Sequence, residues 1–195
     1  MELNYLQTKG CAMGTKCAPS YANIFMGTLE QKFIYPLIKS QQVTYLRYID
    51  DIFMLWTGTK ESLNEFIQQV NKIHKTIKFE IKTSTTEIEY LDTITYIKDG
   101  RLMHKLYRKP TDRQAYLHNS SYHPNSTKRG IPYSQALGIK RICTETKELE
   151  NNLENLKTTL TSRGYDQNYI EQEFVKARKI TQEEALTYKG KIKNQ

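Results

Sequence analysis

Two short β-prone runs with a pair of aspartates between them form the clearest local pattern in the chain. Residues 43–48 and 52–57 are rich in β-branched and aromatic side chains, and only Ile49, Asp50 and Asp51 separate them. Runs of this composition and spacing predict an antiparallel hairpin. Two adjacent carboxylates would then lie at the tip of this hairpin.

A helix is predicted before the hairpin. Residues 21–38 are mostly apolar, and Pro19 precedes them at a position that suits the first turn of a helix. Pro36 should stop or bend this helix near residues 33–35, because proline has no N–H to donate to the preceding turn.

A second helix is predicted after the hairpin, with Thr59 or Ser62 as its N-cap and an end near Thr76. Its apolar side chains recur with the period of an α-helix. They are Leu63, Phe66, Ile67, Val70 and Ile73.

Extended segments follow this helix. Residues 78–83, 87–97 and 102–107 have the composition of strands. Asp99 and Gly100 lie between the last two segments, and an Asp-Gly pair is a strong hairpin signal because both residues tolerate positive φ.

The C-terminal half changes from a loop-rich pattern to a helical one. Residues 109–132 combine proline, glycine and polar side chains and predict a loop. Residues 144–180 predict two helices, with Gly164 as a C-cap and Asp166 as the next N-cap. Their apolar faces, interpreted as core packing, are Leu149, Leu153, Leu156 and Leu160, then Ile170, Phe174 and Ala177. Residues 181–195 are polar and are expected to fray.

The net charge of +8 is concentrated in one segment of the 195 residues. Residues 98–147 contain eleven Lys and Arg but only three Asp and Glu, so a polyanionic partner is expected there. Tyr107, Tyr116 and Tyr133 lie among these cations and add stacking surfaces. The cations expected to contact nucleic acid are Arg108, Lys109, Arg113, Lys128, Arg129, Lys140 and Arg141. A solvated charged face is the alternative.

Cysteine usage and hydropathy argue against several classes of protein. Cys11, Cys17 and Cys143 are odd in number and lack paired spacing, which supports neither a disulfide framework nor a zinc site. The chain has no long uncharged apolar run and no signal-peptide core at its N-terminus. The protein is therefore expected to be soluble and intracellular, with the nucleus a plausible location.

Asp50 and Asp51 are the candidate catalytic and metal-binding residues. Adjacent carboxylates repel each other when they are partly desolvated, and a divalent cation is the usual compensation. Mg²⁺ commonly combines one or two carboxylates with substrate phosphates, which suits nucleotidyl transfer by a pair of metal ions. For an isolated pair of aspartates, the alternative is an ordinary Asx turn.

A segment before the first helix supports the catalytic interpretation. Residues 10–23 read Gly-Cys-Ala-Met-Gly-Thr-Lys-Cys-Ala-Pro-Ser-Tyr-Ala-Asn, and the glycines permit close approach of the backbone to a ligand. Together with Tyr-Ile-Asp-Asp at 48–51, this segment resembles motifs B and C of reverse transcriptases, in the family's order and approximate spacing. Tyr-Leu-Asp at 90–92 resembles the primer-grip motif.

The resemblance implies a role for each matched residue. Asp50 would bind metal in the polymerase site, with Asp51 as its acidic neighbour and Mg²⁺ or Mn²⁺ as the cofactor. Leu91 and Asp92 would hold the primer end. The residues that bind nucleotide and template would be Gly14, Ala18, Pro19, Asn23 and Tyr48, with Met13 in support.

Further stretches resemble the downstream region of Penelope-like retroelement enzymes. They are residues 106–113, 116–118, 123–124, 131–137 and 140–143, and the whole resemblance covers about residues 8–180. It implies an α+β fold, in which an incomplete reverse-transcriptase palm (an antiparallel sheet with packed helices) precedes an α-helical thumb. The implied parts are a partial palm at 1–97, a basic hairpin and loop connection at 98–143, a thumb or helix-turn-helix region at 144–180 and a polar tail at 181–195.

One carboxylate that the family requires is not found. Reverse transcriptases also use an aspartate of motif A, on a strand before motif B, and residues 1–9 contain none. The chain is therefore expected to be a fragment of a retroelement RNA-directed DNA polymerase, whose partners are an RNA template, a DNA primer and dNTP, and to be inactive in isolation. The alternative is a non-catalytic nucleic-acid-binding or protein-interaction remnant. The sequence does not indicate an oligomeric state.

Overall fold

A computed structural model describes residues 8, 10–12, 14–39 and 43–187. The chain divides into two compact units, Met1–Thr83 and Ser84–Gln195. Both combine antiparallel strands with helices, so the α+β class predicted from the sequence is confirmed. Within the described residues, no helix has both the length and the apolar character needed to cross a membrane.

The first unit begins with a helical run in three parts. Helix α1 spans Ala18–Leu29, a π-helical turn spans Glu30–Ile34, and helix α2 spans Tyr35–Ile38. The backbone N–H of Tyr35 donates to the carbonyl of Glu30, five residues earlier. The sequence correctly predicted where the helix is interrupted before Pro36. The helix does not end there, however, but changes from α-helical to π-helical hydrogen bonding and then continues as α2.

The predicted hairpin follows this helical run. Strand β1 spans Thr44–Tyr48 and pairs antiparallel with β2, Asp51–Leu55. Helix α3 spans Lys60–Ile73, and the Thr59 hydroxyl accepts a hydrogen bond from the Ser62 N–H, so Thr59 is the N-cap. The helix ends three residues before Thr76 because His74 is already extended.

The core of the first unit joins the helical run to α3. The buried side chains are Leu29, Ile34, Ile38, Phe66 and Val70. The prediction of a strand at 78–83 was wrong, because no strand is assigned there. Instead, the Asn71 side chain bonds the backbone of Phe79 twice, with Nδ2 3.0 Å from the carbonyl oxygen and Oδ1 2.7 Å from the amide nitrogen. A side chain thus satisfies backbone groups that a neighbouring strand would otherwise pair.

The second unit opens with a three-stranded antiparallel sheet. Strands β3, β4 and β5 span Glu87–Tyr90, Thr93–Lys98 and Arg101–Leu106 and lie side by side in chain order. The expected Asp99-Gly100 turn is present, with φ of 50° and 71°. The single strand expected at 87–97 is instead two strands, because the chain turns at Leu91 and Asp92.

The prediction of a loop at 109–132 was wrong in its last part, because helix α4 spans Asn125–Ile142. It begins directly after Pro124 and contains Gly130 and Pro132 in its interior. Both residues are poor helix formers, but Pro132 is buried, so tertiary packing outweighs local propensity here.

The helices predicted for 144–180 are confirmed. Helix α5 spans Thr146–Ser162, and α6 spans Gln167–Lys179. Gly164 has φ of 80°, and the Asp166 carboxylate accepts from the Tyr169 N–H as an N-cap. The core of this unit unites α4, α5 and α6 through Ala136, Ile139, Cys143, Leu149, Leu153, Leu156, Leu160, Tyr165, Ile170, Phe174 and Ala177.

The segment after α6 is more ordered than its polar composition predicted. Helix α7 spans Gln182–Leu186, and Thr181 and Glu184 form a capping box at its start. Ala185 of this helix is buried, so the expectation of fraying was wrong for these residues. Residues 188–195 lie outside the described part of the chain.

Candidate polymerase site and nucleic-acid interface

The aspartate pair lies at a two-residue turn between β1 and β2. Tyr48 pairs with Asp51 across the ladder, so Asp51 is the first residue of β2, and only Ile49 and Asp50 form the loop. The predicted three-residue loop was therefore too long. Asp50 and Asp51 are both exposed at this tip.

Ile49 has a backbone conformation that is rare for its residue type. Its φ is 56°, in the left-handed region that glycine and asparagine favour. Tight hairpins require positive φ at the first loop position, so strand pairing imposes this conformation on a β-branched residue. Backbone strain is thus located beside the aspartate pair.

Arg47 connects this turn to helix α1. Its Nη1 donates to the Ile49 carbonyl oxygen at 2.9 Å and to Asn23 Oδ1 at 3.0 Å. Asn23 belongs to the segment that resembles motif B, and Ile49 belongs to the turn. One guanidinium group therefore holds the two predicted motifs together.

Glu30 anchors the other side of the same guanidinium. Its carboxylate accepts from Arg47 Nε and, at 3.2 Å, from Arg47 Nη2. The Tyr45 hydroxyl also donates to this carboxylate at 2.9 Å. Only 6% of the Glu30 side chain and 12% of the Arg47 side chain are exposed.

The electrostatics of this cluster keep Arg47 charged and Tyr45 neutral. The hydrogen bond to Glu30 raises the pKa of the Arg47 guanidinium. Burial, and then the hydrogen bond to Glu30, raises the pKa of Tyr45 far above its ordinary value. Sequence patterns did not indicate either Glu30 or Arg47 as a site residue, because their pairing depends on a tertiary contact.

The two exposed carboxylates are a chemically suitable but partial set of ligands for a divalent cation. Mg²⁺ usually takes one or two carboxylates and completes its coordination with water and substrate phosphates, which matches Asp50 and Asp51. Within the described residues, no group of three or more His, Cys, Asp and Glu side chains is arranged to hold a metal ion. Any ion bound here would need further ligands from its substrate or from another segment.

The segment predicted to lie under the nucleotide forms an exposed loop and the first turn of α1. Gly14 has φ of 88°, which glycine adopts without strain. Ala18 and Pro19 are the first two residues of α1, and the Ala18 N–H donates to the Thr15 carbonyl oxygen at 3.0 Å. Met13, the supporting residue of the prediction, lies outside the described residues.

Leu91 and Asp92, the predicted primer-grip residues, form the turn between β3 and β4. Both are exposed, and Leu91 has φ of 53°. The Asp92 carbonyl oxygen accepts from the Tyr107 N–H at 2.8 Å, which joins this turn to the chain that follows β5.

The seven predicted nucleic-acid contacts differ in their availability. Lys128 Nζ donates to the carbonyl oxygens of Asn119 and Ser121, and Arg141 Nε donates to that of Ala185, so both stabilise the unit itself. Arg108 Nη1 lies 3.2 Å from Asp112 Oδ2. The remaining cations are exposed or half-buried. They are Lys109, Arg113, Arg129 and Lys140.

Comparison with known families identifies two matches along the chain. Residues 3–129 match the family described as reverse transcriptase (RNA-dependent DNA polymerase), and residues 115–175 match the animal helix-turn-helix domain. The first match covers the β1–β2 turn, and the second covers α4, α5 and most of α6. The chain thus combines a polymerase-type segment with a helix-turn-helix region.

This chain belongs to the reverse transcriptase (RNA-dependent DNA polymerase) family. Members of that family generally use divalent metal ions and act on a nucleic-acid template and primer with nucleotide substrates. Comparisons with curated proteins and with solved structures gave no match.

Proposed function

We propose that Asp50 and Asp51 are metal-binding carboxylates for RNA-directed DNA synthesis by two-metal nucleotidyl transfer. The observation that supports this most is the exposed position of both aspartates at a tight turn braced by Arg47. The family match and the oxygen-only chemistry of the pair agree with such a role.

The metal ions, when bound, would neutralise the charge that develops on the transferring phosphoryl group. The residues of this chain hold and orient the reactants. Arg47 links the turn to α1 through its hydrogen bonds to Ile49 and Asn23. Gly14, Ala18 and Pro19 shape the floor under the incoming nucleotide and the template. Tyr48 is the last residue of β1, and its pairing with Asp51 positions the turn.

The second unit holds the primer end and contributes further contacts to the nucleic-acid backbone. Leu91 and Asp92 hold the primer end, and the exposed cations bind the nucleic-acid backbone. This electrostatic contact is independent of sequence and should weaken as the salt concentration rises.

We also propose that these 195 residues do not polymerise DNA by themselves. The first 49 residues contain no aspartate, and their only acidic residues are Glu2 and Glu30. Glu30 is buried and already bound by Arg47 and Tyr45, so it is not available to a metal ion. A carboxylate from another segment would have to complete the site.

Iron-directed cleavage tests the metal site without requiring polymerase activity. When hydrogen peroxide and ascorbate are added, Fe²⁺ bound at a Mg²⁺ site reduces the peroxide to a hydroxyl radical and hydroxide, and ascorbate returns the Fe³⁺ to Fe²⁺. The radicals cut the nearby backbone. We expect cleavage near residue 50, competition by Mg²⁺, and loss of the cut in Asp50→Asn. The matched control is Asp99→Asn, which changes another exposed hairpin-turn aspartate and should leave the cleavage unchanged. Equal cleavage of the wild type and Asp50→Asn would refute the metal-binding role.

Primer extension tests the second part of the proposal. An RNA template with an annealed DNA primer, dNTP and either Mg²⁺ or Mn²⁺ should give no extension with the 195 residues alone. Extension that depends on Asp50 would show that this chain already contains a complete site.

A second candidate function is nucleic-acid binding without catalysis. It is favoured by the animal helix-turn-helix match and by the exposed cations of the second unit. Charge reversal of Lys109 and Arg113 should weaken salt-dependent binding of RNA or DNA, whereas Asp50→Asn should not. No binding at low salt would eliminate this function.

The Penelope-like type is part of the same proposal. It is supported by the stretches between residues 106 and 143 and by the order of the two family matches, with the helix-turn-helix region after the polymerase segment.

A further inference from the structure

A cavity of about 420 Å³ lies beside Asp92 in the second unit. Its walls come from the end of β5, the chain at 107–116 and helix α4. Clefts that bind small organic groups usually measure about 300–1,000 Å³, so this cavity is large enough to take one.

Two tyrosines give the cavity its aromatic character. Tyr107 and Tyr116 both line it and are half-buried. Backbone hydrogen bonds hold them, from the Tyr107 N–H to the Asp92 carbonyl oxygen and from the Tyr116 N–H to the Gln114 carbonyl oxygen, each at 2.8 Å. These hydrogen bonds position the backbone at both residues, and the Tyr116 side chain packs against the core of the unit. Aromatic rings are the usual stacking surfaces for unpaired nucleobases.

Polar groups accompany these rings. Arg108 and Gln135 line the cavity, and the Arg108 guanidinium is held by Asp112. The Asp112 carboxylate also accepts from the Gln114 N–H, which, with Arg108, holds its pKa below the ordinary value. An arginine and an amide can hydrogen-bond to the edges of a base.

Helix α4 contributes a glycine, Gly138, to the wall of the cavity. Gly138 lines the cavity, and a Cβ at this position would have no heavy atom within 4 Å. The space in front of Gly138 is therefore open, and a larger residue there would project into it.

We propose that this cavity receives one unpaired nucleobase of a single-stranded nucleic acid, stacked against Tyr107 or Tyr116. This proposal rests on one part of the proposed function, namely that a nucleic-acid strand binds the exposed cations of the second unit. Lys109 and Arg113 belong to the segment that forms the wall and are both exposed, so they are available to the backbone of the same strand. The occupant is a base of RNA or DNA, and the experiment distinguishes the two.

The test compares an oligonucleotide with its abasic counterpart. Fluorescent single strands of twelve uridines, twelve thymidines and twelve abasic sites are titrated with the whole chain. Stacking and hydrogen bonding in the cavity should make the wild type bind at least one base-containing strand about tenfold more tightly than the abasic strand. Tighter binding of the uridine strand would identify RNA as the source of the base, and the reverse would identify DNA.

A change at Gly138 then decides whether this cavity causes the preference. Gly138→Leu fills the space and should reduce the preference for bases to within about twofold, while Gly138→Ala, with one added carbon, should retain most of it. The matched control is Gly130→Leu, in the same helix and also facing open space but outside the cavity. Leucine and alanine favour helix more than glycine does, so all three variants should fold, as circular dichroism would verify.

The possible results separate this proposal from the proposed function. A wild type that binds abasic and base-containing strands equally, or a Gly138→Leu variant that keeps the full preference, would overturn the cavity assignment. Even if the cavity assignment fails, binding of the abasic strand would show that the cations of this unit contact the nucleic-acid backbone. Iron-directed cleavage at residue 50 does not depend on either result.

Discussion

Arg47 and Glu30 form a buried ion pair that joins the β1 strand to the π-helical turn. Two guanidinium nitrogens donate to the two carboxylate oxygens, and the third nitrogen, Nη1, donates to the carbonyl oxygen of Ile49 and to Asn23 Oδ1. The pair therefore connects the core of the first unit to the backbone beside Asp50. A change at Glu30 should affect both stability and the position of the turn.

Neutralising Glu30 should destabilise the first unit. Glu30→Gln leaves the Arg47 guanidinium buried without its counter-charge, and we expect a loss of about 3 kcal/mol in the free energy of unfolding. Trp56 is the only tryptophan and packs on the core of this unit, so its fluorescence during urea unfolding reports the change.

The control for this measurement is Glu65→Gln, an exposed position on α3. It should change the free energy of unfolding by less than about 0.5 kcal/mol. Equal effects of the two substitutions would show that the ion pair does not stabilise the unit.

Replacing Ile49 by glycine should stabilise the same unit. A residue with a Cβ loses about 1–2 kcal/mol in the left-handed region, whereas the added flexibility of glycine costs about 0.5–1 kcal/mol. Because the φ of Ile49 is 56°, we expect Ile49→Gly to increase the free energy of unfolding by roughly 0.5–1 kcal/mol.

Leu46→Gly provides the comparison, because Leu46 is similarly exposed but lies within β1. Glycine there should reduce stability by about 1 kcal/mol, since it weakens a strand without relieving strain. Destabilisation by Ile49→Gly would mean that the turn is not strained.

The hairpin was predictable from the sequence, but its turn was not. The β-branched and aromatic composition of two short runs indicated both strands. The residue rules for tight turns, however, call for glycine or asparagine where this chain has Ile49. The loop therefore appeared one residue longer, and Asp51 was assigned to it. Strand pairing between Tyr48 and Asp51 overrides the local preference.

Long-range contacts account for the other differences. Glu30 and Arg47 are seventeen residues apart, and no periodic pattern links them. In α4, Gly130 and Pro132 indicated a loop, yet both lie inside the helix and Pro132 is fully buried. The N-cap Asp166, which depends only on its neighbours, was predicted correctly. The predicted C-cap Gly164 was one residue too late, because Arg163 is the C-cap and Gly164 follows it with a positive φ.

The three cysteines should differ in reactivity toward a thiol reagent. Cys11 and Cys17 are exposed, whereas Cys143 is buried, and burial raises the pKa of its thiol. Because the thiolate is the reactive form, we expect Cys143 to react on the order of 100-fold more slowly than the other two. Mass spectrometry after timed alkylation would assign each rate, and the three rates should converge in urea. Rapid labelling of Cys143 in the folded protein would contradict its burial.

The stability of the second unit should depend on pH through Glu145. Hydrogen bonds from Lys98 and then from the Tyr96 hydroxyl, the latter at 2.5 Å, hold the pKa of Glu145 below its ordinary value. Burial, and then the hydrogen bond to Glu145, raises the pKa of Tyr96 to about 12. Since the folded state binds the Glu145 proton more weakly than the unfolded state, the stabilisation is present above the ordinary pKa and is lost as the pH falls through the folded value.

Thermal unfolding followed by circular dichroism tests this pH dependence. Glu145→Gln removes the charge, so its midpoint should lie below that of the wild type at pH 7. The two midpoints should converge only once the pH has fallen below the ordinary pKa of a glutamate and through the lower pKa of Glu145 in the folded state. Glu154→Gln changes an exposed carboxylate of α5 and should show no such convergence. A difference between wild type and Glu145→Gln that stays constant from neutral to acidic pH would indicate that packing, and not the charge of Glu145, joins β4 to the start of α5.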